Sequence, residues 1–156
     1  MTVPAWMPDD DIAGIIDGHR EWIASERAKQ RPRLQLGRRY VSEAEARRAA
    51  RELIAMLIDE EAPELGVEPK RVQIRDQRSR WGSCSTHGTL SFNWRLVLAP
   101  FDVLDYVVVH ELCHLREPNH SRRFWKLVEA RRPGWRAQRD WLHEHGPELL
   151  AFRPAA

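Results

Sequence analysis

His110-Glu111-Leu112-Cys113-His114, followed six residues on by His120, decides the reading of this 156-residue chain. On an α-helix a four-residue spacing stacks two side chains on one face, one turn apart, so His110 and His114 can reach one metal ion. Glu111, one position after the first histidine, can touch a metal-bound water without ligating the metal. Three neutral protein ligands plus one open position are the pattern of a catalytic zinc site, whereas a structural zinc is closed by four ligands.

The flanks set the helix in its fold. Leu104-Asp105-Tyr106-Val107-Val108-Val109 leads straight into the motif, and Leu104, Val108, Leu112 and Leu115 form one apolar stripe that Val109 and Cys113 widen. A helix so apolar around its circumference is expected to be the buried centre of the domain. Two histidines and a glutamate on it are costly unless something satisfies them, and metal ligation does. An ordinary helix with surface His and Glu fits that surround poorly. The helix is expected to end soon after Leu115, because Glu117-Pro118-Asn119 is a breaker. His120 then stands at the mouth of a helix over 121–131 with Phe124, Leu127 and Val128 inward, and a chain turning back there brings His120 to the metal. His19, His87, His143 and His145 read as surface or core histidines, since none follows the motif by a short turn.

Arg80-Trp81-Gly82-Ser83-Cys84-Ser85, Leu90-Ser91-Phe92-Asn93-Trp94, the segment from Tyr106 to His114, and Asn119-His120-Ser121 with Phe124-Trp125 together resemble the YgjP-like (DUF45) metallopeptidase family, related to the SprT and WLM metalloproteases. The similarity runs over about 72–142, with the motifs in the right order. It implies an α+β, zincin-like fold of the minigluzincin type, with one Zn2+ held by His110, His114 and His120 and Glu111 as catalytic base. The chain departs from that pattern at none of these four positions.

Length suits one domain with a real core. Lys and Arg number 25 against 23 Asp and Glu, a formal +2 that makes no strong electrostatic demand for nucleic acid. Seven tryptophans argue for a folded globule, and no run approaches a membrane span. The first residues lack a basic and then apolar leader, so a cytoplasmic protein is expected. Cys84 and Cys113 read as buried thiols; Cys84 as a latent fourth ligand would suppress catalysis.

In chain order, a single metallopeptidase domain over 1–156 is expected, with an N-terminal helical extension (1–40), a zincin core (41–146) and a tail (147–156). Ile12, Ile15, Ile16, His19, Trp22 and Ile23 predict an amphipathic helix over 9–29. Lys29, Arg31, Arg33, Arg38 and Arg39 form a cationic cluster, read as a solvated linker or else a phosphate or nucleic-acid contact. Tyr40-Val41 suggests a short extended piece. Ser42-Glu43-Ala44-Glu45 is a capping box for a helix to about Glu61, before a turn at Pro63 and Gly66. Strands are predicted over 71–75, within 77–85 and over 89–93, in a small antiparallel sheet. One of the last two would be the edge that pairs with an extended peptide. Trp81 and Trp94 pack the core or line the cleft, and Asn93 caps the element that follows. Pro133-Gly134 precedes a last helix over 135–145, which Gly146-Pro147 ends.

The function expected is peptide-bond hydrolysis by a zinc-activated water, with Arg78, Arg80 and Tyr106 as candidates to stabilise the oxyanion. The partner is a peptide or protein substrate; no membrane is implied, and neither a zinc ribbon nor a long basic tail points to nucleic acid. One alternative is a metal-dependent nucleotide phosphohydrolase, a nucleoside triphosphate pyrophosphatase using the arginines at 75, 78 and 80. The other is a non-catalytic, zinc-stabilised binding module, against which the retained Glu111 argues.

Overall fold

The structure, a computed structural model, describes residues 42–153; the expected 9–29 helix, the 29–39 cationic cluster, the 40–41 piece and the last three residues lie outside them. In order come α1 (Glu43–Leu65), β1 (Arg71–Arg75), β2 (Gly82–Cys84), β3 (Thr89–Asn93), a 3-10 helix (Trp94–Leu98), α2 (Phe101–His114), α3 (Arg122–Arg131) and α4 (Trp135–Ala151).

Ser42 caps α1, its hydroxyl accepting from the Glu45 amide at 3.2 Å, while Glu43 and Glu45 meet the positive helix end. The helix does not stop near Glu61. It continues through Pro63 to Leu65 and closes on Gly66, whose φ of 66° suits glycine and whose N–H reaches the Ala62 and Pro63 carbonyls. Proline in the last turn forfeits a single bond, and burial of Ala62 and Leu65 holds the extra turn in place.

The sheet has order β1-β3-β2 and is mixed, not antiparallel. β2 and β3 form a hairpin, with Gly82 opposite Phe92 and Cys84 opposite Leu90. Its turn closes through Gly88 N–H to the Ser85 carbonyl, with Gly88 at φ 84°. β1 instead runs parallel to β3, in register from Arg71–Thr89 to Arg75–Asn93. The loop after β1 passes over the central place and leaves it to β3. So β3 cannot be the free edge, and of the two strands nominated β2 remains.

Asn93 ends β3 and organises what surrounds it. Its Oδ1 accepts from the Arg95 amide, as an N-cap should, and its Nδ2 donates to the carbonyls of Gln77 and Arg80. The loop carrying Arg80 and Trp81 is thereby pinned beside α2.

α2 is the central helix: eleven of its fourteen residues are buried, from Phe101 to Cys113. Leu104, Val108 and Leu112 lie at 1 % exposure or less, as the stripe predicts. Asp105, fully buried, accepts two hydrogen bonds from Arg132 at 2.6 and 2.7 Å. Arg132 also reaches Glu61 on α1 at 2.8 Å, and Arg131 binds the same carboxylate. This ion cluster ties α1, α2 and the end of α3 at one level. Ser121 caps α3 at the Phe124 amide, and Phe124 and Val128 are its buried residues.

α4 does not end at Gly146-Pro147 either. It runs on to Ala151, with Leu149 fully buried, so 147–151 is helix rather than tail. Gly146 lies against Trp81: a Cβ there would touch the indole at 3.4 Å. No helix among the described residues is long and apolar enough to cross a membrane.

Candidate active site

α2 presents His110 and His114 one turn apart, and the chain reversal after Pro118 returns His120 to the same point. The three Nε2 atoms form a nearly equilateral triangle: 3.2 Å between His110 and His114, and 3.1 Å from each to His120. Four-coordinate zinc with bonds of about 2.0–2.1 Å sets its nitrogens roughly 3.3 Å apart, so the triangle fits such an ion. The remaining ring nitrogens of His110 and His114 are engaged. His114 Nδ1 lies 3.1 Å from the Glu117 carbonyl, which can only accept, so Nδ1 carries the proton and Nε2 a lone pair. His110 Nδ1 meets the Tyr106 hydroxyl at 3.3 Å. Burial, then the neighbouring His114 and His120, push His110 down to about 3, and burial lowers His114 as well. With its Nε2 unprotonated, His114 offers a lone pair to the point where the three nitrogens converge, as ligation of a cation requires.

Aromatic rings hold the imidazoles in place. Phe124 stacks on His114 with centroids 4.3 Å apart, and Trp125 stacks on His120 at 5.7 Å and on Trp135 at 4.2 Å. Both belong to the first turn of α3, which fixes His120 by the same packing that seats the helix.

Glu111 is 6 % exposed and lies against β2. A Cβ on Gly82 would fall 2.7 Å from Glu111 Cγ and 2.8 Å from Oε1, so only glycine leaves the carboxyl its present place. Burial pushes that carboxyl up to about 8, and a dication at the histidines would favour the ionised form. A cavity of about 300 Å³ opens beside it, lined by Arg80, Trp81 and Gly82, by Tyr106, Val107, His110 and Glu111, and by Arg139, Leu142 and His143.

The sequence model described as the YgjP-like, metallopeptidase domain matches residues 35–145. The chain belongs to the YgjP-like metallopeptidase family. Among solved structures, the crystal structure of the metallopeptidase zymogen of Pyrococcus abyssi abylysin is similar, with TM-score 0.50 and 25 % identity over 61 % of this chain and 92 % of that one. No curated protein shows a significant match.

In this YgjP-like chain His110, His114 and His120 form the group of His, Cys, Asp or Glu side chains that could hold a metal among the described residues. Cys84 is half-buried and outside the group, its thiol pushed up by burial and then by Glu111; Cys113 is buried and pushed up to about 12. Trp94 is fully buried core, whereas Trp81 lines the cavity. Of the oxyanion candidates, Arg80 and Tyr106 line the cavity and Arg78 does not. Arg139 and His143 were not expected there. Their spacing with Leu142 places all three on one face of α4, but which way that face looks is settled by tertiary packing. The close approach at Gly82 was equally hidden, since it depends on β2 lying against α2.

Proposed function

We propose that this chain is a zinc-dependent metallopeptidase that hydrolyses peptide bonds, with Zn2+ on His110, His114 and His120 and Glu111 as general base. The observation that carries the reading is the triangle of Nε2 atoms at 3.1–3.2 Å, with the buried carboxyl of Glu111 one residue beyond its first corner. The family and the abylysin neighbour, described as a metallopeptidase zymogen, point the same way.

Bound there, zinc supplies a Lewis acid that lowers the pKa of a water toward neutrality and polarises the scissile carbonyl. The carboxylate of Glu111 takes a proton from the attacking water and hands it to the nitrogen of the leaving amine. Gly82 gives that carboxylate its room. The Glu117 carbonyl holds the Nδ1 proton of His114, which keeps its Nε2 lone pair turned inward, and the Tyr106 hydroxyl lies within hydrogen-bond reach of His110 Nδ1, where it can do the same for His110. β2, an edge strand beside Glu111, offers an extended substrate its free backbone groups.

The test is hydrolysis of an unfolded protein by zinc-loaded wild type beside Glu111→Gln. Cleavage by the wild type should fall at least about 100-fold in the variant at equal zinc content. Equal cleavage by the two proteins, or none by either, contradicts the reading.

A further inference from the structure

The cavity beside Glu111 has a chemistry of its own. It opens on the His110 side of the centre, since His114 and His120 take no part in its lining. Trp81, Val107 and Leu142 make its walls apolar, while Arg80, Arg139 and His143 bring cationic or protonatable groups to it from two sides. Glu111 is the only carboxyl in the lining. Arg80 comes from the loop that Asn93 pins, is exposed, and its guanidinium has no partner among the described residues. Arg139 is steadied by the Trp135 ring, 5.1 Å from its guanidinium carbon, and pairs at 3.0 Å with Asp140, an exposed contact that costs little to exchange. Guanidinium groups over apolar walls match a short methylene stem that ends in a carboxylate. A volume of about 300 Å³ is at the small end of ligand pockets.

We propose that this cavity selects a substrate carboxylate next to the scissile bond, through Arg80 and Arg139, so that the substrates are peptides presenting a carboxylate there. This rests on the peptidase reading and adds the substrate class to it. The carboxylate can come from a glutamate side chain or from a free chain end, and the experiment separates them. Binding to zinc-loaded Glu111→Gln is measured by fluorescence anisotropy for labelled peptides of one core sequence. These are a neutral form with glutamine and an amidated end, a glutamate form with an amidated end, and a glutamine form with a free end.

At least one acidic form should bind about tenfold tighter than the neutral one, as a charge-assisted hydrogen bond to arginine requires. That advantage should shrink below threefold in Arg80→Gln and in Arg139→Gln. Arg80→Gln breaks no side-chain hydrogen bond or ion pair among the described residues, so it remains informative even where Arg139→Gln disturbs Trp135. Equal binding of all three peptides, or an advantage that survives both variants, overturns the proposal. The same peptides are offered to wild type. Preferred binding without cleavage by wild type would sink the peptidase reading and leave the pocket standing, whereas cleavage without charge preference does the reverse.

Discussion

Gly82 and Glu111 are in contact because one of them has no side chain. The backbone of β2 comes close enough to α2 that a single added methyl would land 2.7 Å from Glu111 Cγ. Glu111 is buried and cannot swing away freely, so Gly82→Ala moves the carboxyl rather than the strand. General-base catalysis depends on reach, and a displacement near 1 Å can cost about 100-fold. Gly82→Ala is therefore expected to lower kcat by about 10- to 100-fold while zinc content stays at the wild-type level. Metal analysis beside steady-state kinetics checks this, and unchanged kcat would mean that β2 yields instead. Among single residues, the three histidines and Glu111 could be read from spacing and from the apolar stripe around them. Gly82 could not, because a glycine facing a carboxylate across two elements leaves no local pattern.

At the level of elements, the ion cluster joining Glu61, Asp105, Arg131 and Arg132 decides how α1, α2 and α3 meet. Burial alone would raise Glu61, but hydrogen bonds and charge from Arg131 and Arg132 outweigh it and leave the carboxyl below its usual 4.5. A lowered folded value means that Glu61 binds its proton more readily in the unfolded chain. Its contribution to stability is thus complete above the unfolded value and fades as pH falls through the folded one. Denaturation followed from pH 7 to pH 3 should show wild type losing more stability than Glu61→Gln over that acid range. A parallel loss in the two proteins would remove Glu61 from the account. Element ends were the least legible part of the sequence. Pro63 and Pro147 read as stops, yet both helices run through them, since one missing donor near a helix end weighs less than the burial of Leu65 and Leu149 beyond it. The parallel pairing of β1 with β3 was hidden for a related reason. Strand patterns fix which face is buried but not which neighbour lies alongside.

For the whole molecule, the fold is an assembly around α2, with His110 and His114 near its C-terminal end, His120 returned to them by the following loop, and a cavity bearing Arg80 and Arg139 beside them. A metal that joins α2 to the start of α3 binds the folded chain far better than the unfolded one. Zinc should therefore raise Tm, by an amount that grows with the logarithm of free zinc above its Kd. Thermal scans of metal-free protein with added zinc check this, and His120→Ala should respond much less. A Tm indifferent to zinc would mean that the histidines hold no ion. The α+β architecture and the central helix were legible from sequence because a buried helix with polar groups on one face is an unusual pattern. The cavity was not, for its walls come from the loop before β2, from Gly82 at the start of β2, from α2 and from α4.

The most direct test of the central claim is zinc K-edge absorption on the loaded wild-type protein, read for the number and type of atoms bound to the ion. Three imidazole nitrogens and one oxygen at about 2.0–2.1 Å are expected, an open centre beside Glu111. A sulfur at about 2.3 Å would place a cysteine on the metal, and a fourth imidazole would close the site; either result would contradict an open centre of three histidines.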